Sequence, residues 1–139
     1  MKLSQLTRAE VAYLQMMYRL NESDGISSVS ALAKKFDVRL PTAIEILHKL
    51  RAKGLVVQEP WRVPKLTSKG VAMAESVMHH HRIVELYLNS TLGLNSQVSC
   101  AEAAKVDYLF DETVIDEMCR VLNRPEKCLH GNPIKHKAH

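Results

Sequence analysis

RLPTAIEILHKLRAKG, residues 39–54, carries the punctuation of one short helix. Pro41 suits a first helical position, where its missing N–H would have no partner anyway, and Gly54 suits the left-handed residue just past a helix end. Between them Ala43, Ile46, Leu47 and Leu50 recur at helical spacing and predict a buried stripe. Thr42, Glu45, His48, Lys49 and Ala52 fall on the opposite side and give the helix a polar, basic outer face.

Upstream, residues 7–21 place Val11, Leu14, Met17 and Tyr18 on one face, and Thr7 with Glu10 three residues on spells a capping box. Residues 22–28, rich in Ser, Asp and Gly, predict a turn, after which Val29, Leu32, Ala33 and Phe36 repeat the helical pattern. Asp37, Val38 and Arg39 make a brief connection. Downstream, residues 55–57 (LVV) and 63–66 (VPKL) read as two short strands around Pro60, Trp61 and Arg62. The order helix, helix, turn, helix, hairpin is that of a winged helix-turn-helix.

Beyond it, Thr67 is expected to cap a long helix running to about Leu92, with Val71, Ala74, Met78, Val84 and Leu88 among its apolar positions. Ser99 is expected to start another helix through Phe110, and Asp111 a last one through Leu122. Residues 123–139 read as a tail with little regular structure. The expected fold is therefore mainly α: a winged helix-turn-helix over residues 1–67, then an all-helical domain over 68–139, suited to dimerisation.

Composition narrows the function. Of 139 residues 46% are apolar and 24% charged, which is the balance of a folded chain rather than a disordered or fibrous one. No apolar run approaches the ~20 residues of a membrane span, and residues 1–10 lack the apolar stretch of a secretion signal, so the expected compartment is the cytoplasm. Three cysteines, an odd count, favour free thiols or metal ligands over a disulfide framework. Residues 1–70 hold 12 Lys/Arg against 6 Asp/Glu, whereas residues 71–139 hold 7 against 9. The basic half can neutralise phosphates and release counterions. Neither a phosphate-cradling Gly loop nor a nucleophile motif is present, which argues against an enzyme.

In a helix-turn-helix the second helix offers its N-terminal residues to base edges while flanking cations grip phosphates. Arg39, Pro41 and Thr42 stand at that entry, Glu45, His48 and Lys49 follow along the outer face, and Arg62 projects from the wing. Glu45 would either accept from a cytosine N4 or pair with Lys49 four residues on. Any one of these cations alone reads first as a solvated surface charge; the assembled pattern points to double-stranded DNA.

LTSKG (66–70), HHRIVELYL (80–88), LGL (92–94) and CLHGNPI (128–134) resemble the metal-dependent repressors of the diphtheria-toxin-repressor and manganese-transport-regulator family, in order along nearly the whole chain. The resemblance implies a homodimer that represses metal-uptake genes when Fe²⁺ or Mn²⁺ is bound. The family's primary metal site would fall on Ala12, Ala104, Asp107 and Tyr108, with Gln15 one turn beyond Ala12; of these only Asp107 is a good ligand. The family's second site would fall on His81, Glu85 and Cys100, all competent donors.

His81 and Glu85 lie four apart, so on a helix both reach one point, as in many helical metal sites. On spacing alone they read first as a surface pair, and His79-His80-His81 as a solvated cluster. Cys100, Cys119 and Cys128, with His130, offer a softer set suited to an iron-sulfur cluster or Zn²⁺, although Cys119 shares an apolar stripe with Ile115, Met118 and Leu122. Two rivals therefore stand beside the metal-responsive repressor: a cluster-based redox regulator and an effector-independent DNA-binding protein.

Overall fold

The computed structural model describes residues 1–23, 25, 27–60, 62–134 and 136. After a 3₁₀ turn at Leu3–Gln5, helix α1 (Arg8–Glu22) begins at a reciprocal cap. The Glu10 N–H donates to Thr7 Oγ1 at 3.1 Å, and the Thr7 N–H donates to Glu10 Oε1 at 3.0 Å. Glu10 is buried, and Lys53 Nζ meets its two oxygens at 2.8 and 2.7 Å. Burial alone would raise this carboxyl's pKa; the Lys53 ammonium and the Thr7 donors instead hold it below the usual carboxylate range.

Helix α2 (Val29–Lys35) is capped by Ser28, and α3 (Leu40–Ala52) starts one residue before Pro41, which thus occupies the second helical position. That position also lacks an intrahelical N–H partner, so the proline costs nothing there. Ala43, Leu47 and Leu50 are buried, with Ile46 half-buried beside them. The chain leaves α3 through Gly54 at φ 75°, and the Leu55 N–H returns to the Leu50 carbonyl at 3.0 Å. Tyr13 of α1 stacks on Phe36 with ring centroids 4.3 Å apart.

The wing is shorter than the expected strands. Strands β1 (Val56–Val57) and β2 (Lys65–Leu66) pair antiparallel, Val56 with Leu66 and Val57 with Lys65. Leu55 turns its N–H back to the helix end and meets the opposite chain only through its carbonyl, which accepts from Thr67, and Pro64 has no N–H to give. Trp61, expected at the wing tip, lies outside the described residues.

Thr67 caps α4 (Ser68–Leu92), its Oγ1 accepting the Gly70 N–H at 3.0 Å. Gly70 matters for space: a Cβ there would fall inside contact distance of the Leu55 carbonyl. The chain divides into two compact units, Gln5–Glu75, which holds the winged helix-turn-helix, and Met1–Ser4 with Ser76–His139.

In the second unit α5 (Ser96–Val106) starts a turn before the expected Ser99 and stops before the expected Phe110. Asn95, following Gly93 at φ 73°, accepts the Val98 N–H at 2.9 Å and takes the cap, leaving Ser99 buried inside the helix. Helix α6 (Glu112–Val121) follows Asp111 as expected. Ile83, Val84, Ala103, Ile115, Cys119, Cys128 and Ile134 form this unit's core. The expected tail is thus partly a packed loop: Lys127 bridges Pro133, the Cys128 N–H donates to the Asn132 carbonyl at 2.9 Å, and Gly131 turns at φ 81°. Lys135 and residues 137–139 of that tail lie outside the described residues. No helix among the described residues is long and apolar enough to cross a membrane.

Gly70→Ala is expected to lower the unfolding free energy by about 2 kcal/mol or more, read by thermal and urea denaturation, because backbone rather than a flexible side chain must yield.

Candidate functional site

The histidine triplet of α4 is turned inward. His80 Nδ1 lies 2.9 Å from the Asp107 carbonyl, and His81 Nδ1 lies 2.9 Å from Asp107 Oδ2, so two successive imidazoles donate to one residue at the end of α5. Both rings are buried, so the solvated-cluster reading fails for them.

The other edge of the His81 ring faces a second set of donors. Nε2 lies 3.5 Å from Glu85 Oε2, one turn along α4, and 3.5 Å from Cys100 Sγ on α5. Donor atoms of His81, Glu85 and Cys100 all fall within 4.8 Å of one another. Two ligands of one first-row ion stand at most about 4.6 Å apart, twice a bond of roughly 2.3 Å, so small side-chain shifts gather these three. Glu85 Oε2 is buried without a hydrogen-bond partner, and a buried carboxylate oxygen calls for a cation. His130 Nε2, on the 128–134 loop, stands 3.9 Å from that same oxygen. The residues present therefore fit a divalent transition metal.

Asp107 stands on the opposite edge of the imidazole from Glu85 and Cys100. With Nδ1–H given to Asp107, the neutral ring keeps its Nε2 lone pair for an ion, the usual arrangement behind a metal-bound histidine. The sequence put Asp107 among the ligands; its Oδ2 lies 2.9 Å from His81 Nδ1, on the ring edge away from Glu85 and Cys100.

Burial disfavours the charged imidazole, but the hydrogen bond to Asp107 and the Coulombic attraction of Asp107 and Glu85 outweigh it and push His81 up to about 10. Without an ion, a proton supplies the positive charge between the two carboxylates.

The remaining soft donors are dispersed. Cys119 and Cys128 are buried in the apolar core, and neither joins His81, Glu85 and Cys100, the one three-donor group among the described residues. Cys119 Sγ contacts His136 Nδ1 at 3.5 Å. At the implied primary positions, Ala12, Ala104 and Tyr108 offer no carboxylate, thiol or imidazole.

On the first unit Arg39, Pro41, Thr42, Glu45, His48 and Lys49 are all exposed along α3, and Arg62 is exposed on the wing. Glu45 and Lys49 pair at 3.5 Å, and Arg62 pairs with Glu59 at 3.2 Å. Both are exposed pairs of small energy, readily opened in favour of a phosphate.

Two outcomes are expected of the imidazolium. An unfolded histidine titrates near 6.5, so between that pH and about 10 the metal-free folded state holds a proton the unfolded chain lacks. Metal-free stability should therefore fall as pH rises through this window, and His81→Gln should flatten the decline. Metal binding at Nε2 must also expel this proton, so calorimetry in buffers of different ionisation enthalpy should show proton release on binding near pH 7.

Residues 5–63 match the iron-dependent repressor N-terminal DNA-binding domain, and residues 67–136 the iron-dependent repressor metal-binding and dimerisation domain. The iron-dependent repressor IdeR of Mycobacterium tuberculosis is 32% identical over 133 residues, covering 95% of this chain and 57% of that protein. A manganese-dependent transcriptional repressor in complex with manganese superposes with a TM-score of 0.83 at 26% identity, covering 91% of this chain and 58% of that one. A hypothetical protein from Sulfolobus solfataricus superposes with a TM-score of 0.75 at 28% identity, over 94% of this chain and all of that one. The chain thus spans little more than half the length of the IdeR protein it matches. With a winged helix-turn-helix followed by a helical unit that gathers His81, Glu85 and Cys100, and with both domain matches running in order, the chain belongs to the iron-dependent repressor family.

Proposed function

We propose that this chain is a homodimeric transcription repressor of metal-homeostasis genes, whose hold on double-stranded operator DNA is set by a divalent metal at His81, Glu85 and Cys100. The observation that carries the reading is Glu85 Oε2, buried without a hydrogen bond beside an imidazole and a thiol. A bound ion supplies a fixed positive charge there; Asp107 orients His81, and His130 is within reach as a further donor. Asp107 is thereby proposed as a positioning residue. The thiol makes the set softer than an all-oxygen and nitrogen one, which favours Fe²⁺ over Mn²⁺.

For its effect on DNA the ion must bind the DNA-competent conformation better than the other. Homodimerisation is supported by the apolar side chains of Leu92, Val98, Leu109, Val114 and Val121, all exposed in the single chain. Two copies place two recognition helices in successive major grooves. Arg39, Pro41, Thr42, Glu45, His48, Lys49 and Arg62 are the proposed DNA contacts, and the cytoplasm, where operators are, is the proposed compartment. Dispersal of Cys119 and Cys128 leaves the cluster-based redox reading without a geometric support comparable to that of the three-donor group.

The test is metal analysis and visible absorption of protein purified without chelator, beside operator binding by fluorescence anisotropy with and without Fe²⁺ or Mn²⁺. Metal is expected to raise operator affinity at least tenfold, and His81→Ala or Cys100→Ala to abolish most of the gain. Metal-free protein that binds the operator equally well would establish the effector-independent reading, and a brown chromophore the cluster reading. Lys49→Ala and Arg62→Ala should each reduce the slope of log affinity against log salt by about 1.

A further inference from the structure

Helix α3 carries two large apolar side chains that its core stripe does not use. Leu40 is 47% exposed and Ile44 50% exposed. Four apart on the helix, they stack one turn over the other on a single face. They border an open groove of about 350 Å³ whose rim includes His48, Arg51 and Gln58. The buried residues Ala43, Leu47 and Leu50 secure the helix without them.

We infer that Leu40 and Ile44 select thymine in the operator by packing against its C5-methyl group in the major groove. The inference rests on the DNA-binding reading and adds which base this helix favours. Thymine alone among the four bases presents an apolar group on its major-groove edge. The first turns of a recognition helix are the part presented to base edges, and Leu40 and Ile44 occupy the first and second turns of α3. The surroundings fit a polyanion: Arg39, His48 and Arg51 are exposed around the pair. A protein partner suits the patch less well, since the centre of a protein interface is depleted of charge and needs roughly 800 Å² per side, far more than two side chains offer.

The experiment selects a preferred duplex from a random library with the full chain, Fe²⁺ or Mn²⁺ being supplied. Each thymine of that duplex is then replaced in turn by deoxyuridine, which keeps base pairing and removes only the methyl group. One or two positions per half-site are expected to lose about fourfold in affinity, equivalent to about 0.8 kcal/mol for one buried methyl at 1.4 kcal/mol per tenfold. Leu40→Ala and Ile44→Ala should each bind thymine and deoxyuridine equally at one of those positions, with melting temperature and salt slope unchanged. If the wild type binds its selected duplex but is indifferent to the methyl groups, or if both variants keep full discrimination, the methyl reading is overturned while DNA binding stands. If Ile44→Ser instead changes the sedimentation mass, the pair is covered by a second copy and the inference also fails. Selection of no duplex at all would overturn the DNA-binding reading itself, and this inference with it.

Discussion

A buried imidazole flanked by two buried carboxylates sets the terms for the second unit. Asp107 and Glu85 lie on opposite edges of the His81 ring, and both are almost fully removed from water. Two carboxylates cannot be held so deep without a compensating positive charge, because desolvation of an unpaired ion costs several kcal/mol. A proton on His81 meets that need in the metal-free chain, and a divalent ion held by the proposed donor set would meet it otherwise. The position is charged in either condition, and the surrounding elements are arranged around it: α4 supplies His81 and Glu85, α5 supplies Cys100 and ends at Asp107, and the 128–134 loop brings His130 to the rim.

The neighbours of that charge are fixed by ordinary packing. Arg82, the residue after His81, turns to the other side and donates to the Pro133 carbonyl at 3.0 Å, tying α4 to the loop that carries His130. Cys128 and Ile134 anchor the loop's two ends in the same apolar core as Ile83 and Val84. The donor set therefore stands on helices and an anchored loop, where side-chain geometry is held more tightly than on a free one. In the first unit Leu55, held between the end of α3 and the start of α4, plays the comparable part: its N–H meets Leu50 and its carbonyl accepts from Thr67 at 3.1 Å.

Within the iron-dependent repressor family this chain has its own chemistry. Ala12, Ala104 and Tyr108 stand where the resemblance would place primary ligands, while the second set keeps a full complement with sulfur in it. Asp107, the one acidic residue left among those primary positions, accepts the His81 Nδ1–H, the contact on which its proposed positioning role rests.

Much of the fold was legible because its signals are local. The Thr7–Glu10 box, Thr67 as a cap, Gly54 past the end of α3 and the i, i+3, i+4 stripes of α1 and α3 each involve residues within a turn or two, so spacing alone reports them. The resemblance named His81, Glu85 and Cys100, and spacing showed that the first two could converge. Ser99 was expected to start α5 because it is a good cap, but Asn95 takes that place and Ser99 is buried inside the helix. The contact of Asp107 with His81, the dispersal of Cys119 and Cys128, the anchoring of the 128–134 loop and the exposure of Leu40 and Ile44 were decided only in three dimensions. Each depends on which atoms meet across many residues of chain, or on which side of a ring or helix a side chain faces, and a linear pattern carries no direction of that kind.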